Sequence, residues 1–437
     1  VKHPLRTAAV AAVGLAAPLL AHAQPAQETA TIVVDVFRHG SAKTPIALPN
    51  PVGNDPAEVE FYNTLKRDLE LCGWFTVIDP NAYLEPLETS VRPGEFRFED
   101  WEVPGAVGLA KTALRSEGGT LRSEVWVYDV PGRRKLRAKA FSSGTDAART
   151  LAHKAANEII HAMTGTNGPF NTRFAFSGTF SGNKELYVVD FDGGNRTRIT
   201  KNGSINIQPD WDATGSKVAF TSYMSGNPDI YVADLGRGRI SRVSARAGLN
   251  TGPAWHPRSG QLAVTLSKNG NPDIHVIDPQ TGAARGQLTR GSGIDTSASW
   301  SPDGRRFAFV SERSGGAQIY VANADGSGAK RVTFEGGHNT DPAWSPDGTK
   351  IAYVSRDGNF DVFTVDVATG RVTRITQASG DNEDPSWSPD GRFLAFSSNR
   401  TGSPHIWMAT ANGAHQVQLT QGKGGYTNPD WSPSLPW

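Results

Sequence analysis

From residue 174 onward, short runs of β-branched and aromatic residues alternate with clusters of Gly, Pro, Asn and Asp. Runs of this length bounded by turn formers predict short strands. A marker orders them. Tryptophans stand at 211, 255, 300, 344, 387 and 431, at intervals of 43 to 45 residues. Five have Pro two places earlier, and Ala298 takes that place in the other repeat. Ser-Pro-Asp-Gly follows three of them, at 301–304, 345–348 and 388–391. In that turn Pro presets φ, Asp caps the backbone and Gly takes positive φ. At 256–260 the turn reads His-Pro-Arg-Ser-Gly, one residue longer. The runs behind the markers predict second strands at 218–222, 262–267, 307–311, 351–355 and 394–398. Third strands follow at 230–234, 274–278, 319–323, 362–366 and 406–410, and fourth strands at 240–244, 287–289, 331–333, 374–376 and 417–420. Four strands per repeat of this length is the periodicity of a β-propeller blade.

The phase of the repeat predicts how the ring closes. Runs at 174–177, 186–190 and 198–200 match strands two, three and four but lack a Trp-bearing first strand. Trp431 supplies a first strand with nothing behind it. Together they make one blade, and closure removes the exposed sheet edges of an open array. The fold class expected is mainly β: a six-bladed β-propeller over 170–437, preceded by a small α/β domain and a cleavable signal peptide.

The pattern before residue 165 is mixed. Residues 32–37 alternate like a strand, and 56–71 reads as a helix with Asp55 as N-cap and Val59, Leu65 and Leu69 apolar. Residues 75–78 read as a strand, and 124–129 with 135–141 as a hairpin around Pro131-Gly132. Residues 145–163 read as a helix ended by Gly165, and 165–169 as the linker. The α/β domain is placed at 37–165. Lys2 and Arg6 flank the start of an uncharged, mostly apolar run over 7–21, followed by Ala21-His22-Ala23. Residues 1–23 are therefore expected to be a signal peptide, with Gln24 as the new N-terminus. The run is shorter than the ~18 residues of a spanning helix.

Composition narrows the function. Lys and Arg total 44 against 43 Asp and Glu, with no long basic stripe, so nucleic acid is not an expected partner. The single cysteine, Cys72, excludes an intramolecular disulfide and reads as a small apolar residue on a helix face. Neither Gly-x-Ser-x-Gly nor His-Glu-x-x-His occurs, and the ten histidines show no metal-ligand spacing. His153 and His161 are expected on the surface of their helix. No enzyme, cofactor or small-molecule substrate is expected. The rival readings are the propeller domain of an exported hydrolase and a glycan-binding propeller. The second needs aromatics at the channel mouth, whereas the repeated Trp residues are expected inside the fold, packed between blades.

First strands of a propeller are innermost, so the residues before each Pro-x-Trp are expected to ring one mouth of the channel. They are Asn206; Asn250 and Thr251; Asp295 and Thr296; Asn339, Thr340 and Asp341; Asn382, Glu383 and Asp384; and Thr427 and Asn428. Either they cap their own loops, or they form a polar ring that receives a partner segment. His256 and Arg258 sit beside the ring, as drift of the repeat or as partner contacts. Asp295, Asp341, Glu383 and Asp384 would gather charge for a hard cation such as Ca²⁺, but no calcium-loop spacing is present. Lys268, Arg313, Arg356 and Arg400 in the second-to-third strand loops are either solvated or meet an acidic partner. Residues 24–36 read as an edge strand of the α/β domain or as a mobile strand that adds to a partner's sheet.

Taken together, the export signal, the α/β domain, six repeats of the Pro-x-Trp-Ser-Pro-Asp-Gly type and the stretches 31–36 (Thr-Ile-Val-Val-Asp-Val) and 43–49 (Lys-Thr-Pro-Ile-Ala-Leu-Pro) resemble the TolB family of the Tol-Pal system. The resemblance covers essentially the whole chain after residue 23. It implies a periplasmic, non-enzymatic scaffold that supports outer-membrane integrity and cell division. It implies binding to the lipoprotein Pal at the channel mouth, through Asn206, Asn250, Thr251, His256, Asp295, Thr296, Asn339, Thr340, Asn382, Glu383 and Asn428. It implies contact with TolA through the N-terminal segment, with Gln24, Thr31, Ile32, Val33, Val34 and Asp35 in it. Association with the envelope would then run through these partners, not through a membrane span.

Overall fold

A computed structural model describes residues 43–49, 55–84, 90–267, 270–377 and 379–437. The expected signal peptide, the segment 24–36 with Gln24, Thr31, Ile32, Val33, Val34 and Asp35, the strand at 32–37, and Lys268 lie outside them.

Residues 173–431 form six four-stranded antiparallel sheets. Five are continuous in sequence, and their inner strands are Asn206–Trp211, Asn250–Trp255, Asp295–Trp300, Asn339–Trp344 and Asn382–Trp387. The sixth joins the two ends of the propeller. Tyr426–Trp431 pairs with Arg173–Gly178, bringing Tyr426 opposite Gly178 and Trp431 opposite Phe174. The ring thus closes as the repeat phase predicts. The marker tryptophans pack between blades. Trp211 joins Ala175, Leu186 and Val188 of the preceding blade, and Trp387 joins Ala352 and Val362. A second tie runs alongside. The backbone N–H of Trp211 donates to Asp430 Oδ2 at 2.7 Å and that of Trp255 to Asp210 Oδ2 at 2.6 Å. Those of Trp344 and Trp431 donate to Ser299 and Ser386 Oγ.

In the N-terminal domain, β1 (Thr44–Ala47), β2 (Phe75–Val77), β3 (Gly108–Glu117), β4 (Thr120–Asp129) and β5 (Arg134–Gly144) form one sheet in the order β2-β1-β3-β4-β5. The sequence reading contains neither β1 nor β3. β3 is a ten-residue strand whose partners are parallel on one side and antiparallel on the other. Helix α1 (Pro56–Leu71) starts where expected, with Asp55 Oδ1 accepting from Ala57 N–H at 2.8 Å. Leu65 and Leu69 are buried, but Val59 faces outward at 46% exposure. Helix α2 (Glu99–Glu102) is short, and helix α3 (Ala148–Thr164) ends at Gly165, which takes φ 73°.

The two domains share one hydrophobic cluster, which the reading of 165–169 as a simple linker does not anticipate. Leu69, Trp74 and Met163 lie in the same cluster as Phe174, Phe393 and Trp431. The Arg392 guanidinium sits 3.9 Å over the Trp74 ring and donates to Thr166 Oγ1 and the Asn167 carbonyl. The junction also corrects the expectation for His153. It is buried, with Nδ1 2.7 Å from Asp68 Oδ2. Eight-residue spacing on a helix says which face a side chain takes, not whether another domain covers that face.

Candidate functional site

The inner strands carry a shared irregularity. Their third residues are Gln208, Gly252, Ser297, Asp341, Asp384 and Asn428, and all six have φ between 51° and 57°. Five of these are not glycine, in a region that L-residues rarely occupy. The register of every inner strand shifts across this point. This bulge turns the third residue toward the central space. From there to the Ser-Pro turn, the six strands line a channel cavity of about 400 Å³.

The bulge sorts the expected ring residues into two groups. Asn206, Asn250, Asp295, Asn339 and Asn382, the first residues of their strands, are buried. They do not face the mouth. Asn206 Nδ2 donates to Glu185 Oε2 at 3.1 Å, Asn339 Nδ2 to Gln318 Oε1 at 2.8 Å, and Asn382 Nδ2 to Asp361 Oδ1 at 3.0 Å, each reaching the preceding blade. Asn250 Oδ1 accepts from Ser244 Oγ, and Asp295 pairs with Arg313 at 3.0 Å. The four asparagines also bond the backbone of their own loops and cap them, while Asp295 is tied to Arg313. Thr251, Thr296, Thr340 and Asn428 are half-buried on the inner strands, and Glu383 is exposed. His256 is a packing residue. Its ring lies 4.6 Å from that of Trp300, and Nε2 is 3.2 Å from the Gly304 carbonyl. Pro302 and Pro346 pack in the same way against Gly348 and Gly391 of the following turns.

The loop arginines are not free either. Arg313 lies 5.1 Å from the Tyr320 ring, and Arg400 stacks 4.4 Å over Trp407 while donating to Asn382 Oδ1 at 2.6 Å. Arg356 sits 5.4 Å over Phe360.

The channel is acidic in a pattern the sequence reading only half contains. Burial, and next the Asp384 carboxylate, pushes Asp341 up to about 7. Asp384 is itself raised by burial, against the lowering effect of the Asn428 N–H and the Ser397 hydroxyl. Glu383 is raised by burial and by Asp384. A second pair, absent from the expected ring, is Asp210 and Asp430. Burial raises both, and Asp430 reaches about 7. Like charges this close cannot both ionise freely. The expected cation set does not assemble, because Asp295 is committed to Arg313. Among the described residues, the group whose ligand atoms all lie within 4.8 Å is His153, Asp190 and Asp192, at the domain junction.

This is a two-domain protein built on a closed six-bladed propeller, with an acidic, polar-walled channel and a small α/β domain packed against two neighbouring blades. Residues 160–435 match the family described as TolB beta propeller domain, and residues 32–136 match the TolB amino-terminal domain. The chain belongs to the TolB family. It is 38% identical over 193 residues to the Tol-Pal system protein TolB of Geobacter sulfurreducens, covering 42% of this chain and 44% of that one. It is 40% identical over 220 residues to that of Anaeromyxobacter sp. strain K, covering 49% of each. The chain spans just under half the length of the curated relatives it matches. The crystal structure of TolB from Acinetobacter baumannii superposes with a TM-score of 0.81 at 27% identity, covering 90% of this chain and 97% of that chain. A chain of a nidogen/laminin complex, at 12% identity and TM-score 0.52, shares the fold alone. Among the described residues no helix is long and apolar enough to cross a membrane.

Proposed function

We propose that the protein is a periplasmic, non-enzymatic scaffold of the Tol-Pal system. It receives Pal at the propeller mouth where the inner strands begin and engages TolA through residues 24–36. In this role it supports outer-membrane integrity and cell division. The observation that carries the reading is the channel wall. Five strained third residues, with Gly252 at the sixth position, hold their side chains in one ring, beside half-buried threonines and the exposed Glu383. Backbone strain of this kind persists where the surroundings over-determine it, and it clusters at functional sites. The buried Asn206, Asn250, Asp295, Asn339 and Asn382 act from beneath, holding the loops on which a partner would rest. Thr251, Thr296, Thr340, Glu383 and Asn428 are the contact candidates.

The test is calorimetric titration of the purified protein with the periplasmic domain of Pal. Glu383→Lys is expected to weaken binding at least tenfold while leaving the melting temperature unchanged. Asn339→Ala is expected to lower the melting temperature first, because it removes the buried bonds from Nδ2 to Gln318 Oε1 and to the Glu335 carbonyl. Full-strength Pal binding by Glu383→Lys together with Thr340→Arg would overturn the assignment of this face. Deleting residues 24–36 is expected to abolish TolA binding and spare Pal.

A further inference from the structure

Two buried polar atoms without a hydrogen-bond partner lie at the domain junction, Asp68 Oδ1 and His153 Nε2, while Arg149 Nε faces Asp190 Oδ2 at 3.6 Å. Buried polar groups are almost always satisfied, and a cluster of exceptions calls for a missing occupant. The surroundings say which kind. Asp68 Oδ2, on α1, lies 2.7 Å from His153 Nδ1, on α3. With Nδ1 committed to a carboxylate, Nε2 is the nitrogen left to coordinate, the arrangement that orients a metal-binding imidazole. A ring nitrogen of His153, an oxygen of Asp190 and an oxygen of Asp192 all lie within 4.8 Å of one another. Asp190 ends the propeller strand Glu185–Asp190, and Asp192 stands in the turn after it. Asp192 gives Oδ1 to Arg149 at 2.5 Å and to the Gly194 N–H at 3.1 Å, but gives Oδ2 to neither.

Charge points the same way. Asp68, Asp190 and Asp192 carry three negative charges, and Arg149, also within the junction, carries one positive charge. Arg173, which pairs with Asp190 at 3.3 Å, is 46% exposed and solvated. The enclosed carboxylates therefore outnumber the enclosed guanidinium by two, an excess that a cation bound beside His153 would offset. One imidazole nitrogen and two carboxylates suit zinc, with a fourth position left for water.

We propose that His153, Asp190 and Asp192 form a zinc-type site, oriented by Asp68, that pins the N-terminal domain to the first strands of the propeller. Its ligands come from both domains, so metal binding and domain docking are one equilibrium. The reading is independent of the partners proposed above.

The experiment uses the purified protein, stripped with a chelator and titrated with ZnCl₂ by calorimetry, with Co²⁺ as a visible probe of the same site. One equivalent of zinc is expected to bind and raise the melting temperature. Asp192→Asn is expected to abolish binding. Asp68→Asn, which leaves all three ligands in place, is expected to weaken it about 10–100-fold. Should Asp192→Asn fail to fold by circular dichroism, Asp190→Asn at the edge of the cluster serves in its place. Absence of zinc heat in the stripped protein overturns the proposal. So does binding of equal strength in the Asp68 and Asp190 or Asp192 variants, or a His153 imidazole that NMR finds protonated and unmoved by added zinc.

Discussion

Replacing Asp341 by Asn is expected to stabilise the propeller, and more so as the pH rises. In the folded chain Asp341 keeps its proton up to about pH 7, because burial and the Asp384 carboxylate oppose ionisation. In the unfolded chain it releases that proton near pH 3.8. Its folded value is raised, so the native state binds the extra proton. Stability is highest below pH ~4 and falls until the folded group also ionises near 7. Moving the carboxyl from 3.8 to about 7, at ~1.36 kcal/mol per pH unit, sets a ceiling of ~4 kcal/mol. The group is half-buried beside an open channel, and solvent screening reduces this to ~1–2 kcal/mol. Asn fits the site otherwise. Its Oδ1 can accept from Thr340 Oγ1, which now donates to Asp341 Oδ2 at 3.0 Å. At φ 51°, Asn is among the best tolerated residues after glycine, and Asn428 holds the same position in the last blade at the same φ. Urea unfolding at pH 5, 6, 7 and 8 measures the difference. A gain that grows from pH 5 to 7 and then levels off supports the argument. A gain independent of pH, or a loss at pH 8, refutes it.

Trp431→Ala is expected to cost ~3–5 kcal/mol in urea unfolding, because it empties a buried inter-blade position on the closing strand and removes the 2.8 Å bond from Nε1 to Thr172 Oγ1. Arg392→Ala is expected to leave the propeller folded but to speed proteolysis within 165–169, since it removes the stack on Trp74 and both bonds to the linker. Cys72 is fully buried and its thiol is pushed up to about 12, chiefly by burial. A thiol reagent at pH 8 is therefore expected to label it only in denaturant.

Repetition made the propeller legible in the sequence. Each blade repeats one local pattern of marker, turn and short apolar runs, and local propensity is what a linear reading captures. Even closure was legible, since a repeat that starts at strand two and ends at strand one has a single partner for its loose end. The wall of the channel was legible only in part. Taking the start of each innermost strand as the rim sends Asn206 and its counterparts to the mouth. The left-handed third residue overturns that placement; Asp341, Asp384 and Asn428 are types that tolerate it, but Gln208 and Ser297 give no sign of it. Asp210 and Asp430 lay unremarked for a related reason: their charges matter through each other, across the seam between the first and last blades. The α/β domain was the least legible part. β3 pairs on one side with β1, far earlier in the chain, and His153 is buried against Asp68 of α1 beside the propeller residues Asp190 and Asp192. By itself, then, the sequence determined the number of blades, their strands and the closing seam, because those follow from periodicity along one chain. Tertiary structure alone decided which polar groups face the channel and which are buried at the junction, because burial depends on surfaces that meet only once the chain has folded.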